Sequence, residues 1–348
     1  MYKFSIIHIY DKNFTILMNR LNRLNPISGI VLFFAFAGIF LITNFYELSA
    51  ESVTPINYTN MDITNDKGHE FLNSFGGEGK DDGQLSEIND VIINKNFIYV
   101  PDYENHRIQK FTSDGVFVLN WGLYGTGPGE FNKPHSLVSD SKDNIYVTDM
   151  NNHRIQKFTS DGVFVTMWGT EGSGDGQFLH PHGIGIDSSD NVYVTDAELL
   201  NIQKFDSNGK FLEKWGSKGS GDGQFTWLES VDVDSSGNVY VGDMKNDRIQ
   251  KFTSDGKFLM EFGEKGDNEG QLSFPAGVAL DAEDNVYVTD QNNHRIVKFS
   301  SNGEFITMWG TGGEKNGQFS EPEGIDVDKK TGKIYVADTG NKRIQIFS

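Results

Sequence analysis

From residue 70 onward the apolar positions fall into short runs, alternating or β-branched, and each run is cut off by Asp, Asn or Gly. In one stretch Asn144-Ile-Tyr-Val-Thr-Asp149 is followed by Asn152-His-Arg-Ile-Gln-Lys-Phe158, then Asp161-Gly162, then Phe164 to Trp168. Runs of this length and content, punctuated in this way, predict short strands. Asp-Gly at 114, 161 and 255 and Asn-Gly at 208 and 302 supply the hairpin turn between the third and fourth strand of a set.

The sets repeat. Asp102, Asp149, Asp196, Asp243, Asp290 and Asp338 each close a Tyr-Val-x-Asp motif, at spacings of 47, 47, 47, 47 and 48 residues. A period in the forties carrying several strands per copy predicts a radial array of blades, here an all-β, six-bladed β-propeller over residues 70–348. The last copy stops at Ile344-Gln-Ile-Phe347-Ser348, after its third strand, while Phe71-Leu-Asn-Ser-Phe75-Gly76 reads as an orphan fourth strand. The two chain ends are therefore expected to complete one blade, which removes open sheet edges without a disulfide.

The N-terminal part has a different pattern. Leu24 to Tyr46 carries no charged residue, Lys3, Lys12, Arg20 and Arg23 precede it, and Glu47 and Glu51 follow it. Residues 27–46 are long enough to span a bilayer, and the positive-inside rule puts residues 1–26 in the cytoplasm as a short basic tail and the propeller outside. The rival reading is secretion after cleavage of a signal peptide ending near Leu48-Ser49-Ala50. Residues 47–69, polar and without periodicity, read as a flexible linker with a reach of about 25 to 30 Å.

Composition narrows the partners. The first 46 residues hold four of the 30 Lys/Arg and one of the 49 Asp/Glu, which leaves a net charge of −22 on the rest. Nucleic acid is excluded as a partner, because phosphate binding rests on basic patches. The chain has no cysteine, so disulfide scaffolds, cysteine nucleophiles and thiolate zinc modules are excluded too. The glycine-rich segments, such as Gly172-Ser-Gly-Asp-Gly-Gln-Phe178, precede strands and lack the Lys-Ser/Thr of a phosphate loop, so they read as turns between blades.

With Asn105-His-Arg-Ile108, Asn152-His-Arg-Ile155 and Asn293-His-Arg-Ile296 each set just after a Tyr-Val-x-Asp motif, the chain resembles NHL-repeat β-propellers over about four fifths of its length. The third copy departs, since Ala197-Glu-Leu-Leu-Asn201-Ile has no Arg, and Asp247 and Lys342 replace the His in the fourth and sixth. The resemblance implies no single function. Animal members act in ubiquitin ligases beside cysteine-ligated zinc modules, which this chain cannot build. Another similarity is to the propeller of the peptidyl-hydroxyglycine amidating lyase, which implies a histidine-bound zinc in the channel. The order of tail, helix, linker and propeller is most similar to extracellular sensor propellers that bind a ligand or partner.

Residues that recur from copy to copy serve the architecture, and this is the expectation for the Asp and Arg of pairs such as Asp149 with Arg154, present in nearly every copy, and for the recurring His106, His153 and His294. They should brace the loop between the second and third strands through charge-assisted hydrogen bonds. Residues that differ at one structural position are free to make a site. At the start of the first strand the copies present Asn89, His135, His182, Glu229, Ala276 and Glu323. In a propeller these side chains ring the mouth of the central channel. Asn89, His135, His182, Glu229 and Glu323 are the candidate ligand-binding residues, and His135, His182, Glu229 and Glu323 the candidate ligands of a divalent metal. The cofactor is left open between that metal and none.

The expected function is a monomeric, membrane-tethered extracytoplasmic recognition module for a protein, a glycan or a small molecule, with no catalytic residues. The alternative is a metal-dependent lyase or hydrolase at the same mouth, with a carboxylate such as Glu229 or Glu323 as general base.

Overall fold

Four-stranded antiparallel sheets, six in number, follow one another along residues 69–348, the part of the chain that the computed structural model describes. The expected tail, membrane helix and all but the end of the linker lie outside the described residues. Among the described residues no helix is long and apolar enough to cross a membrane.

Blade 2 shows the plan. Its strands run Pro134–Ser139, Ile145–Asp149, Arg154–Phe158 and Phe164–Trp168, from the channel outward. The second and third strands are buried at every position, because neighbouring blades cover both faces, so they read as unbroken apolar runs with polar residues only where a network awaits them. The outer strand alternates between partly buried and exposed positions. The core is accordingly divided into six apolar layers, each between two blades. In one of them Tyr99 and Ile108 of blade 1 pack with Phe131, Val147 and Phe158 of blade 2.

Close approach between blades explains the hairpin glycines. Gly162 has φ +79°, and a Cβ there would lie 2.7 Å from the Trp121 ring of the preceding blade. Asp-Gly thus meets two demands, a left-handed turn and a seat for an aromatic side chain.

The chain ends close blade 6. Phe71–Gly76 pairs antiparallel with Arg343–Phe347, Phe75 opposite Ile344 and Gly76 opposite Arg343, outside Ile334–Asp338 and Pro322–Val327. Ser348 N–H donates to Glu70 O at 3.0 Å and Gly77 N–H to Lys342 O at 2.8 Å.

The recurring polar residues form a brace in each blade. Asp149, fully buried, accepts from Asn132 N–H at 2.7 Å, Asn152 Nδ2 at 2.9 Å, Arg154 Nε at 2.7 Å and Gln156 Nε2 at 3.0 Å. Arg154 then donates from Nη2 to Gly127 O at 2.9 Å and Glu130 O at 2.8 Å, tying down the loop that enters the blade. Blade 3 solves the same problem without an arginine. Asp196 accepts four backbone N–H groups, from Leu179, His180, Glu198 and Leu199. The recurring histidines stitch blades together, His153 Nδ1 donating to Leu179 O at 2.7 Å and His106 Nδ1 accepting from Lys133 N–H at 3.1 Å. Asp247, which replaces the histidine, accepts from Phe274 N–H at 3.0 Å and performs the same stitch.

Candidate functional site

The inner strands of neighbouring blades pack around one central cavity of about 740 Å³. Each of blades 2 to 6 begins its inner strand with a β-bulge between its first and fourth residues, where two residues oppose one. The variable residue sits in that bulge, which turns its side chain out of the regular pleat. The preceding blade fixes its backbone. Thr148 Oγ1 donates to His182 O at 2.9 Å, Thr195 Oγ1 to Glu229 O at 3.2 Å and Thr289 Oγ1 to Glu323 O at 2.6 Å. Gly183 lets blade 3 approach this closely, since a Cβ there would stand 2.4 Å from Glu229 O. The Thr of Tyr-Val-Thr-Asp is therefore part of the site's scaffold.

Asn89, His135, Glu229, Ala276 and Glu323 line the cavity, and His182 joins them through its contacts. His135, His182 and Glu229 converge, each offering one donor atom, with all three atoms within 4.8 Å of one another. His182 Nδ1 lies 3.1 Å from Glu229 Oε1, and His135 Nε2 approaches the same oxygen to 3.7 Å. The two imidazole rings stack with centroids 4.1 Å apart and a tilt of 36°. Glu323 is not in this group. Gln291 Nε2 donates to its Oε1 at 3.0 Å.

Electrostatics separates the two acids. Burial alone would raise the Glu229 carboxyl, but the His182 and His135 imidazoles and the Trp227 N–H outweigh it and hold it down to about 2. Burial pushes Glu323 well above the usual carboxylate range, and the charges of Glu229 and Glu87 add to the effect. Burial, together with His182 and His180, pushes His135 down to about 3, so its ring is neutral.

Two ring atoms are left without a partner, His135 Nδ1 and Asn89 Oδ1, on side chains 7% and 9% exposed. The outer-strand indoles Trp121, Trp168 and Trp215 also leave Nε1 unpartnered, but these rings lie against the glycines of the next blade's turns and do not line the central cavity.

The geometry adds two residues that the repeat comparison of a single position passed over. Trp227 Nε1 donates to Glu229 Oε2 at 2.7 Å, and His182 Nε2 lies 3.2 Å from His180 Nδ1. The signal was present one step away, because the position two residues before the ring also varies, as Glu87, Lys133, His180, Trp227, Phe274 and Glu321. Deeper in the cavity are three buried acids, Asp90, Asp232 and Asp326. Each takes a backbone N–H of the next blade, from Leu137, Leu280 and Ile93 respectively, and burial raises all three, Asp90 to about 6 and Asp326 to about 7.

The model for the NHL repeat matches residues 131–158, 272–299 and 319–347, and a model described as a 6-bladed beta-propeller matches residues 188–263. The chain carries NHL repeats in a six-bladed propeller. No curated protein sequence matches it. Among solved structures it is similar to a streptogramin B lyase, at 15% identity and TM-score 0.56 over 80% of this chain and 98% of that one. It is also similar to virginiamycin B lyase from Staphylococcus aureus, at 16% and 0.57 over 81% and 99%. An auxiliary nutrient binding protein from Bacteroides thetaiotaomicron matches at 16% and 0.58 over 81% and 73%. At such identities the likeness is one of fold.

Proposed function

We propose that this protein is a membrane-tethered, extracytoplasmic recognition module whose ligand enters the channel mouth formed by Asn89, His135, His182, Glu229 and Glu323. The ligand is a small molecule or a projecting group of a protein or glycan. One observation carries the proposal. The invariant Asp brace spends its hydrogen-bonding capacity inside each blade, whereas the variable ring holds nine-tenths-buried donors and acceptors, His135 Nδ1 and Asn89 Oδ1, that the protein does not use. Buried polar groups left unmade cost about 1 to 3 kcal/mol each, which a complementary ligand recovers. The uncharged segment 24–46 behind a basic tail supports the tether. A thermal-shift panel of sugars, peptides and small organic acids, run in chelator on the wild type and on His135→Ala/His182→Ala, tests the site. Ligands that stabilise the wild type and not the variant support it, and equal stabilisation of both counts against it.

A second reading, acid–base catalysis at the same mouth, is favoured by the opposed states of Glu229, held ionised, and Glu323, favoured as the neutral acid. Both a nutrient binding protein and lyases share the fold. Incubation of each stabilising ligand with the protein separates the readings: an enzyme converts the ligand and loses that turnover in Glu323→Gln, whereas a binding module releases the ligand chemically unchanged.

A further inference from the structure

The recognition reading places a ligand at the mouth, and the following inference rests on it and names one. We propose that His135 Nε2, His182 Nδ1 and Glu229 Oε1 form a three-donor site for a first-row transition-metal dication, with Trp227 and His180 as positioning residues and Glu323 outside the coordination sphere.

The distances set the case. A tetrahedral ion with bonds of about 2.0 to 2.2 Å holds its donors about 3.3 to 3.6 Å apart. His182 Nδ1 and His135 Nε2 stand 3.1 and 3.7 Å from Glu229 Oε1, on either side of that span. A hydrogen bond from His182 to Glu229 explains the shorter distance. It does not explain why a second imidazole aims at the same oxygen from beyond hydrogen-bond reach while its other nitrogen has no partner.

For two of the three ligands, Glu229 and His182, the atom facing away from the convergence point is held as a metal site requires, while His135 Nδ1 has no protein partner. Trp227 Nε1–H occupies Glu229 Oε2, which leaves Oε1 for the ion. His180 Nδ1 lies 3.2 Å from His182 Nε2, placed to accept the His182 proton there once Nδ1 gives up its hydrogen bond to Glu229 and takes the ion. Trp227 itself stands edge-on to the His182 ring at 5.7 Å between centroids, and Lys245 Nζ caps its other surroundings at 4.0 Å from the ring centroid. Two imidazoles and one carboxylate favour Zn²⁺, Co²⁺ or Ni²⁺ over the oxygen-seeking Mg²⁺ and Ca²⁺. Three protein donors leave the remaining positions to a ligand in the cavity, which couples metal and ligand recognition.

The test uses the full-length chain in detergent, stripped with chelator, and Co²⁺ alone as probe, read by its visible absorption and by calorimetry. The expected result is one Co²⁺ per chain, displaced by Zn²⁺ and not by Mg²⁺ or Ca²⁺. His135→Ala/His182→Ala loses the site. Trp227→Phe keeps the stoichiometry and weakens affinity about 10- to 100-fold, and Glu323→Gln leaves it unchanged. No saturable Co²⁺ uptake, uptake that survives the double substitution, or a Glu323→Gln effect equal to that of Trp227→Phe overturns the proposal. Because the ligand panel is run in chelator, mouth-dependent binding there without Co²⁺ uptake leaves the recognition reading standing and removes only the metal.

Discussion

Blades 2 and 3 are neighbours with the same four strands, yet they anchor their buried aspartates differently. Blade 2 uses an arginine, Arg154, whose guanidinium reaches from Asp149 to two loop carbonyls. Blade 3 has Asn201 at that place, and Asp196 instead gathers four backbone N–H groups from the flanking segments. What the fold demands is a satisfied carboxylate at the top of the second strand, and the arginine is one way to meet it. At the channel mouth the same two blades contribute His135 and His182, whose side chains turn toward Glu229 of blade 4. Repetition therefore marks the frame, and departures from it have two meanings: a brace built from other groups, as the backbone N–H groups around Asp196, or a side chain released for the cavity, as at Glu229.

The largest expected effect comes from the closure that no other blade shares. Deleting residues 70–76 strips the outer strand from Arg343–Phe347 and removes Phe75, which packs against Phe111 and Gly115. Circular dichroism melts should show a fall of about 10 °C or more, or aggregation before melting, since an open edge templates pairing. An unchanged melt places the closure elsewhere.

Next in size is the brace itself. Arg154→Ala leaves Asp149 buried with a lost charged donor and removes the arginine's bonds to Thr126 O and Gly127 O, while Glu130 O keeps Gln156 Nε2, for an expected loss of about 1 to 3 kcal/mol in denaturant unfolding. Asn201→Ala in blade 3 is the control. Asn201 Oδ1 has no partner, so the loss there should stay under about 0.5 kcal/mol. Equal losses at the two positions dissolve the distinction between the blades.

A smaller effect is read as a slope. Asp326, raised to about 7 mainly by burial, faces Asp232 and Lys329 and accepts from Ile93 and Val327 N–H. The unfolded chain ionises this group first, from its ordinary value of 3.8 upward, so stability is lost as pH rises from about 4 to 7. Glu229 and His135, both depressed, act in the opposite sense and lose stability as pH falls, toward about 2 and about 3 respectively. Comparing the wild type with Asp326→Asn isolates one group. The variant should lack a few kcal/mol of the decline between pH 4 and 7, and parallel curves show that Asp326 titrates normally.

The blade count, the hairpin turns and the joining of the ends were legible because 3.4 Å pleats and a fixed period leave few ways to place Tyr99, Tyr146 and their equivalents. The mouth ring was legible for a related reason, since six positions in register must meet around the axis. Which of them converge was not, because that depends on which bulge points where, and Glu323 turns to Gln291. Trp227 escaped notice because an aromatic beside a strand reads as core, and Asp232 and Asp326 because a carboxylate accepting N–H from the next blade's strand has no local sequence signal. The expected membrane helix over 27–46 lies outside the described residues.

The most direct measurement sets frame against mouth in one experiment: denaturant unfolding and calorimetric Co²⁺ binding, each on the wild type, Arg154→Ala and His135→Ala/His182→Ala. The double histidine variant should keep its stability within about 1 kcal/mol and lose binding, while Arg154→Ala loses stability and binds one Co²⁺ with wild-type affinity under folding conditions. A double histidine variant that unfolds, beside an Arg154→Ala protein of unchanged stability, contradicts the account.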